Sequence, residues 1–221
     1  GKRLSPLTDN MPKPMLPLAG RPILDGILRH IKDVGISEVF MTTHYMPEVI
    51  ADFFKDGSEY GVSVKYVNEK EPLGTAGSLA LLPKAKNTML VMNGDIVTKA
   101  NLQFMCQYHK SHGAIMTVAT IPYESKIPYG VVEIEDIYIT QLREKPTTKH
   151  LVNAGIYLIE PEAFEYIKND QHMDMTDLIE LLLSKNKKIT CWPIREYWRD
   201  IGKLEDYQHA QEEAKGTQQN T

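Results

Sequence analysis

The sequence predicts an α/β fold, a sandwich of helices around a mostly parallel, mixed central sheet with an antiparallel β extension. Three observations point there. Helical and strand periodicities alternate through the first half of the chain. Met89-Leu90-Val91-Met92 is a short, wholly apolar run of the kind a strand buried on both faces requires. After Ala114 the helices give way to β-rich stretches punctuated by Pro and Gly.

The elements follow in order. Ile23, Leu24, Ile27, Leu28, Ile31 and Val34 recur at helical spacing between Pro22 and Gly35, a start and a stop for one helix. A strand over 39–43, a helix from Pro47 to about Lys55 and a strand over 62–67 come next. A helix is expected over 76–82, the buried strand over 89–92, and a helix over 102–112. Residues 114–121, 130–142 and 151–159 read as strands of the extension. Helices near 176–184 and 204–214 bracket a strand pair at 188–194 and 197–201, and residues 216–221 read as a frayed tail.

With 221 residues, 42% of them hydrophobic, one compact domain over 1–221 is expected. A net charge of -4 lacks the clustered cations that phosphate neutralisation on DNA or RNA demands, so no nucleic-acid partner is expected. Cys106 and Cys191 show neither disulfide nor zinc-ligand spacing, which fits a reducing cytosol. Apolar runs are strand-sized and no signal-peptide pattern is visible, so a soluble cytoplasmic protein without a membrane partner is expected. A homo-oligomer is left open. His109 and His112 share a face of one helix with no carboxylate to complete a metal triad, and are expected to be solvated.

Several blocks carry chemistry. Gly1-Lys2-Arg3-Leu4-Ser5-Pro6-Leu7-Thr8 is followed by Pro12-Lys13-Pro14-Met15-Leu16-Pro17-Leu18, where two prolines fix the backbone around one ammonium. Glu69-Lys70-Glu71-Pro72-Leu73-Gly74-Thr75-Ala76-Gly77 leads into a helix; its small residues would let a base or ribose lie against backbone. Thr75 could equally be an ordinary helix cap. Asn93-Gly94-Asp95 ends the apolar strand, where open α/β sheets place ligands, and a carboxylate there suits Mg²⁺.

Together these blocks resemble the signature of the sugar-1-phosphate nucleotidyltransferases, closest to the mannose-1-phosphate guanylyltransferase-like branch, whose domain is Rossmann-like. Tyr197-Trp198-Arg199-Asp200-Ile201-Gly202 is similar to that family's second metal-binding segment. Tyr129-Gly130-Val131-Val132, Arg143-Glu144-Lys145-Pro146 and Val152-Asn153-Ala154-Gly155 are similar to its sugar-phosphate pocket. The resemblance implies a nucleotide-binding half over about 1–112 and a sugar-phosphate half over about 113–215. It implies that Arg3 and Lys13 are catalytic, that Gly1, Glu69, Pro72, Gly74, Thr75 and Gly94 bind nucleotide, and that Asp95 and Asp200 share one Mg²⁺. Gly130, Glu144, Lys145 and Asn153 would then hold the sugar phosphate. It also implies that an apolar strand and a Gly-Gly turn lie upstream, because Gly1 enters in the middle of the motif.

The expected reaction joins a nucleoside triphosphate to a sugar 1-phosphate and releases pyrophosphate. Glu69 favours GTP, since guanine offers two adjacent donors to two carboxylate oxygens; UTP is the runner-up. The rivals are a nucleotide-sugar-dependent glycosyltransferase of the GT-A type, whose Asp-x-Asp motif Asn93-Gly94-Asp95 lacks, and a non-catalytic regulatory homologue.

Overall fold

A computed structural model describes residues 2–218. The N-terminal segment forms two single 3₁₀ turns, Lys2–Leu4 and Lys13–Met15, then a two-residue ladder of β1 (Pro17–Leu18) with β2 (Arg21–Pro22). Helix α1 (Ile23–Asp33) leads to β3 (Glu38–Thr43), α2 (Pro47–Phe54), β4 (Ser63–Asn68) and the four-residue α3 (Gly74–Gly77). Next come β5 (Met89–Met92), β6 (Ile96–Thr98) and α4 (Leu102–His112). The second half holds β7 (Met116–Lys126), β8 (Val131–Glu135), β9 (Tyr138–Arg143) and β10 (Thr147–Ile159). It ends with α5 (Met175–Ser184), β11 (Ile189–Pro193), β12 (Trp198–Asp200) and α6 (Leu204–Gln218).

The central sheet is mixed, in the order β11-β7-β10-β5, with β11 parallel to β7 and β10 antiparallel to both its neighbours. Strands β3 and β4 form a separate parallel pair. The parallel share is smaller than expected because β10 returns to β7 by way of the β8–β9 hairpin, and a hairpin return is antiparallel.

Period-2 alternation divides the side chains of the sheet between two cores. Leu90, Met92, Ala119, Ile156 and Leu158 face the cluster that includes Leu28 of α1 and Met105 of α4. Val91, Met116, Val118, Tyr157 and Ile159 face the opposite cluster, which includes Leu178 and Leu182 of α5. Helices therefore cover both faces, which is the expected sandwich. A third cluster packs Leu4, Leu16 and Ile23 against Ile201 and Tyr207, tying the N-terminal turns to β12 and α6.

Some boundaries differ from expectation. The helix expected over 76–82 is α3 plus a 3₁₀ turn over Ser78–Leu81, since Gly74 and Gly77 are poor helix formers and Pro83 follows. Strands β7 and β10 run longer than expected because their outer halves pair with each other as an exposed arm, where no apolar face is needed. His109 is buried, not solvated. Its Nδ1 lies 2.7 Å from Thr117 Oγ1 and its Nε2 lies 2.7 Å from Glu160 Oε1, so both ring nitrogens are satisfied inside the core. Thr88 also donates to Glu160, and Thr117 bonds Thr190 across the β7–β11 pair. His112 is exposed and stacks on Tyr108.

The exposed edges of β3 and β5 line one cavity of about 1690 Å³, floored by Leu24, Ile27 and Ile31 of α1. Among the described residues β3 pairs only with β4, and β5 only with β10. The strand expected upstream of Gly1 lies outside the described residues, as does Gly1 itself.

Helix α1 also carries a buried charge. Asp25 is 3% exposed and accepts hydrogen bonds from Arg29 Nε at 2.8 Å and Tyr60 Oη at 2.9 Å. Burial pushes its carboxyl up, but the Arg29 and Tyr60 hydrogen bonds and the Arg29 and Arg21 charges outweigh that and hold it below the usual carboxylate range. Burial and the Asp25 bond push the Tyr60 phenol up to about 12. A depressed carboxyl stabilises the fold above its unfolded pKa, about 3.9, and that contribution fades as pH falls through the folded value. Asp25→Ala is therefore expected to lower stability by about 1–3 kcal/mol at pH 7, with a smaller loss below about pH 3.9. Urea midpoints of both proteins across pH 3–7 measure it, and a pH-independent difference would contradict the ionised pairing.

Candidate active site

The site begins at the N-terminal turns. Leu4, 1% exposed, anchors the turn that carries the exposed Arg3. Pro12 and Pro14 flank Lys13, and buried Met15 fixes the second turn. Tyr45 steadies the stretch between the turns by donating its hydroxyl to the carbonyl of Asp9 at 2.8 Å. Nothing local in the sequence announces that contact.

Asp95 lies in the turn between β5 and β6, and Asp200 ends β12. Strands β6 and β12 are antiparallel with Asp200 opposite Ile96, so the backbone ladder itself brings the two aspartates together. The amide of Ile201 also donates to the carbonyl of Asp95 at 3.1 Å. The Lys13 ammonium donates to Asp95 Oδ2 and lies 3.7 Å from Asp200 Oδ1. Burial, then the Asp95 charge, pushes the Asp200 carboxyl above its usual value, against the pull of Lys13. Gly94 lets this happen, because a Cβ there would lie 3.2 Å from Pro14 Cγ. Lys13, expected to be catalytic, thus pairs with both carboxylates.

The loop after β4 is held from both sides. Glu69 Oε2 accepts the amide of Leu73 at 3.0 Å, closing the turn that contains exposed Pro72, while His44 Nδ1 lies 2.9 Å from the Glu69 carbonyl. The amides of Ala76 and Gly77 donate to the Met173 carbonyl at 3.0 and 2.9 Å. Thr75 does not cap its own helix. Its hydroxyl accepts the amide of Met175, the first residue of α5, at 2.8 Å. Gly74 has φ +77°, and a Cβ on it would lie 2.6 Å from the Met173 carbonyl; one on Gly77 would lie 2.6 Å from that of Gln171. The bare sides of these glycines are thus filled by the segment over 171–174, a reason for glycine that local sequence could not show. Lys13, Glu69, Gly74, Thr75, Gly94 and Asp95 all line the cavity.

A second cluster lies on the arm. Lys145 and Glu144 side chains are 3.8 Å apart, the Lys145 amide donates to the Tyr129 carbonyl at 3.2 Å, and a Cβ on Gly130 would lie 3.1 Å from Glu144 Oε2. Gly130, Glu144 and Lys145 therefore sit together at the open end of the β8–β9 hairpin, where Val131 pairs with Arg143. Asn153 stands on β10 opposite Thr120, at the start of a bulge, and its Oδ1 accepts the Gly155 amide at 2.9 Å.

That bulge joins the motifs. The Gly155 carbonyl accepts the amide of Asn93 at 2.9 Å, and the Ala154 carbonyl accepts the indole N–H of Trp198 at 2.9 Å. Trp198 is thus a strut that sets β12, and with it Asp200. Among the described residues no group of three or more His, Cys, Asp or Glu could hold a metal ion without help. The pair Asp95 and Asp200 fits one nonetheless, because both carboxylates already converge on a cation, the Lys13 ammonium, and phosphate oxygens complete such shells.

Fold and site define an α/β domain that gathers a carboxylate pair around a lysine, with Lys13 and Asp95 lining a cavity. Residues 1–216 match the family model described as nucleotidyl transferase, and the chain belongs to that family. It is 34% identical over 216 residues to a mannose-1-phosphate guanylyltransferase of Mycobacterium tuberculosis, covering 94% of this chain and 60% of the relative. It is 31% identical over 231 residues to a UTP–glucose-1-phosphate uridylyltransferase of Synechocystis, covering 95% of this chain and 60% of the relative. The chain thus spans about 60% of the length of these curated relatives. A Bacillus anthracis structure assigned as a glucose-1-phosphate thymidylyltransferase superposes with a TM-score of 0.77 at 23% identity, over 96% of this chain and 90% of that one.

Gly155 supplies the test of this architecture. It has φ +70°, and a Cβ would lie 2.6 Å from Asn93 Nδ2 and 2.7 Å from Ile96 Cδ1. Gly155→Ala is expected to cost about 1–3 kcal/mol through backbone strain and overpacking. A guanidinium unfolding curve superimposable on that of the unsubstituted protein would show that the bulge tolerates a side chain.

Proposed function

We propose that this chain is the catalytic domain of a sugar-1-phosphate nucleotidyltransferase that moves a nucleoside monophosphate from a triphosphate to a sugar 1-phosphate, releasing pyrophosphate. The observation that carries the reading is the convergence of Lys13, Asp95 and Asp200, with Lys13 and Asp95 lining the same cavity as Glu69, Gly74 and Thr75. Similarity to guanylyl- and uridylyltransferases supports the reaction class.

The chemistry needs charge compensation more than proton transfer. A sugar-phosphate oxygen, largely ionised above its second pKa of about 6, attacks the α-phosphorus in line, so no general base is required. Arg3 and Lys13 offset charge on the nucleotide, and Lys145 binds the sugar's phosphate, with Glu144, Asn153 and the Gly130 backbone on its hydroxyls. Asp95 and Asp200 hold Mg²⁺, which when bound neutralises phosphate charge and orients its oxygens. Pro72, Gly74, Thr75 and Gly94 shape the nucleotide side.

GTP is the favoured nucleotide. Glu69 keeps one carboxylate oxygen on the Leu73 amide, and an oxygen with two lone pairs can retain that bond while both oxygens face the adjacent donors of guanine. A uracil would leave a carboxylate oxygen against a carbonyl. The setting proposed is cytoplasmic; Cys106 and Cys191 are both free, and among the described residues no helix is long and apolar enough to cross a membrane.

Asp95→Asn and Asp200→Asn are each expected to lower turnover by about 10²–10³-fold, the scale of losing one preorganised electrostatic contact in a transition state. Pyrophosphate release across four triphosphates and mannose, glucose, glucosamine and heptose 1-phosphates measures it. The same panel is expected to favour GTP, with Glu69→Gln eroding that preference by about ten- to a hundredfold. A strong preference for dTTP or ATP would overturn the Glu69 reading, and no pyrophosphate from the panel together with release of nucleoside diphosphate from a nucleotide sugar and acceptor would favour the glycosyltransferase. Lys145→Ala should raise the KM for sugar 1-phosphate and leave that for nucleotide unchanged; a rise in both would remove the assignment.

A further inference from the structure

We infer that the Lys13 ammonium is the resident counter-ion of the Asp95 and Asp200 pair, and that a divalent cation gains these carboxylates as a nucleotide's phosphates draw Lys13 away. The inference rests on the metal reading above and adds an order to it. The two aspartates are forced together by the β6–β12 ladder, so their mutual repulsion is present before any substrate arrives. Lys13 answers it from a backbone that cannot retreat, with prolines on either side, buried Met15 after it and Pro14 packed over Gly94. Its ammonium, in contrast, sits on a flexible four-carbon stem whose rotatable bonds can re-aim it.

A divalent ion arriving alone meets a poor site. It must displace an ammonium tethered in place at high effective concentration, and it finds only two carboxylates among the described residues where an octahedral oxygen shell is needed. A bound triphosphate reverses both conditions, giving the ammonium a polyanion to move to and the ion its missing oxygens. Metal and nucleotide then assist each other's binding by equal factors, as linkage requires, and Lys13 is the source of part of that coupling. A lysine that only contacts phosphate would leave the affinity for metal alone unchanged when removed.

Mn²⁺ binding followed by the electron paramagnetic resonance signal of the free ion tests this without turnover. Lys13→Met and Lys13→Gln should each bind Mn²⁺ about tenfold or more tightly than the unsubstituted protein when no nucleotide is present, since one nearby charge in a partly wet site is worth about that factor. Lys13→Arg, which keeps the charge, should resemble the unsubstituted protein. With a non-hydrolysable guanosine triphosphate analogue, and after correction for chelation by the analogue itself, the gain in Mn²⁺ affinity should be larger for the unsubstituted protein than for Lys13→Met. Equal or weaker Mn²⁺ binding by folded neutral variants, judged by far-ultraviolet circular dichroism, would overturn the counter-ion role. Asp95→Asn separates the two readings, because Mn²⁺ binding retained by that variant with the analogue present would overturn the metal site itself.

Discussion

The bulge in β10 is the constraint on which the site depends. One short irregular stretch supplies two carbonyls, Ala154 to the indole of Trp198 and Gly155 to the amide of Asn93. The first contact sets β12 and the second sets the turn after β5, so both carboxylates take their positions from the same few residues. The side chain of Asn153 is spent on the same feature, through the Gly155 amide. A regular ladder would commit these backbone groups to pairing with β7 and β5; the register shift between Asn153 and Tyr157 releases them for other partners.

Two kinds of support then meet around the cavity. The carboxylates are fixed by backbone pairing, which is stiff, while the Lys13 ammonium reaches them on a long stem from the N-terminal turns. Negative charge is thereby held still and positive charge is left adjustable, a sensible division where phosphates of different shape must enter and leave. The loop from Glu69 to Gly77 belongs to the stiff part, since four of its residues bond the segment over 173–175. It is braced by the start of a helix almost a hundred residues further on, an interaction that ties the nucleotide side to the second half of the chain.

How far the sequence could be read follows from the range of each interaction. Helix α1 was legible because six apolar residues repeat along one face, and β5 because its whole run is apolar. The outer parts of β7 and β10 were not, since Tyr123-Glu124-Ser125-Lys126 is paired but faces water and bears no alternation. The aspartates, Lys13 and the loop glycines could be picked out by motif, yet their partners could not. That Lys13 meets Asp95 depends on a separation of 82 residues along the chain, and that Gly74 is pressed by Met173 on one of about a hundred. His109 was misplaced for the same reason: its burial is decided by Thr117 and Glu160, neither on its own helix.

The His109 chain has a directionality. An ionised Glu160 only accepts hydrogen bonds, so its imidazole neighbour carries hydrogen on Nε2. In the neutral tautomer Nδ1 is then an acceptor, Thr117 must point its hydroxyl hydrogen at the ring, and Thr190 must in turn point its own at Thr117. Four side chains thus form a polar wire through an apolar interior whose arrow is set by one hydrogen on one ring.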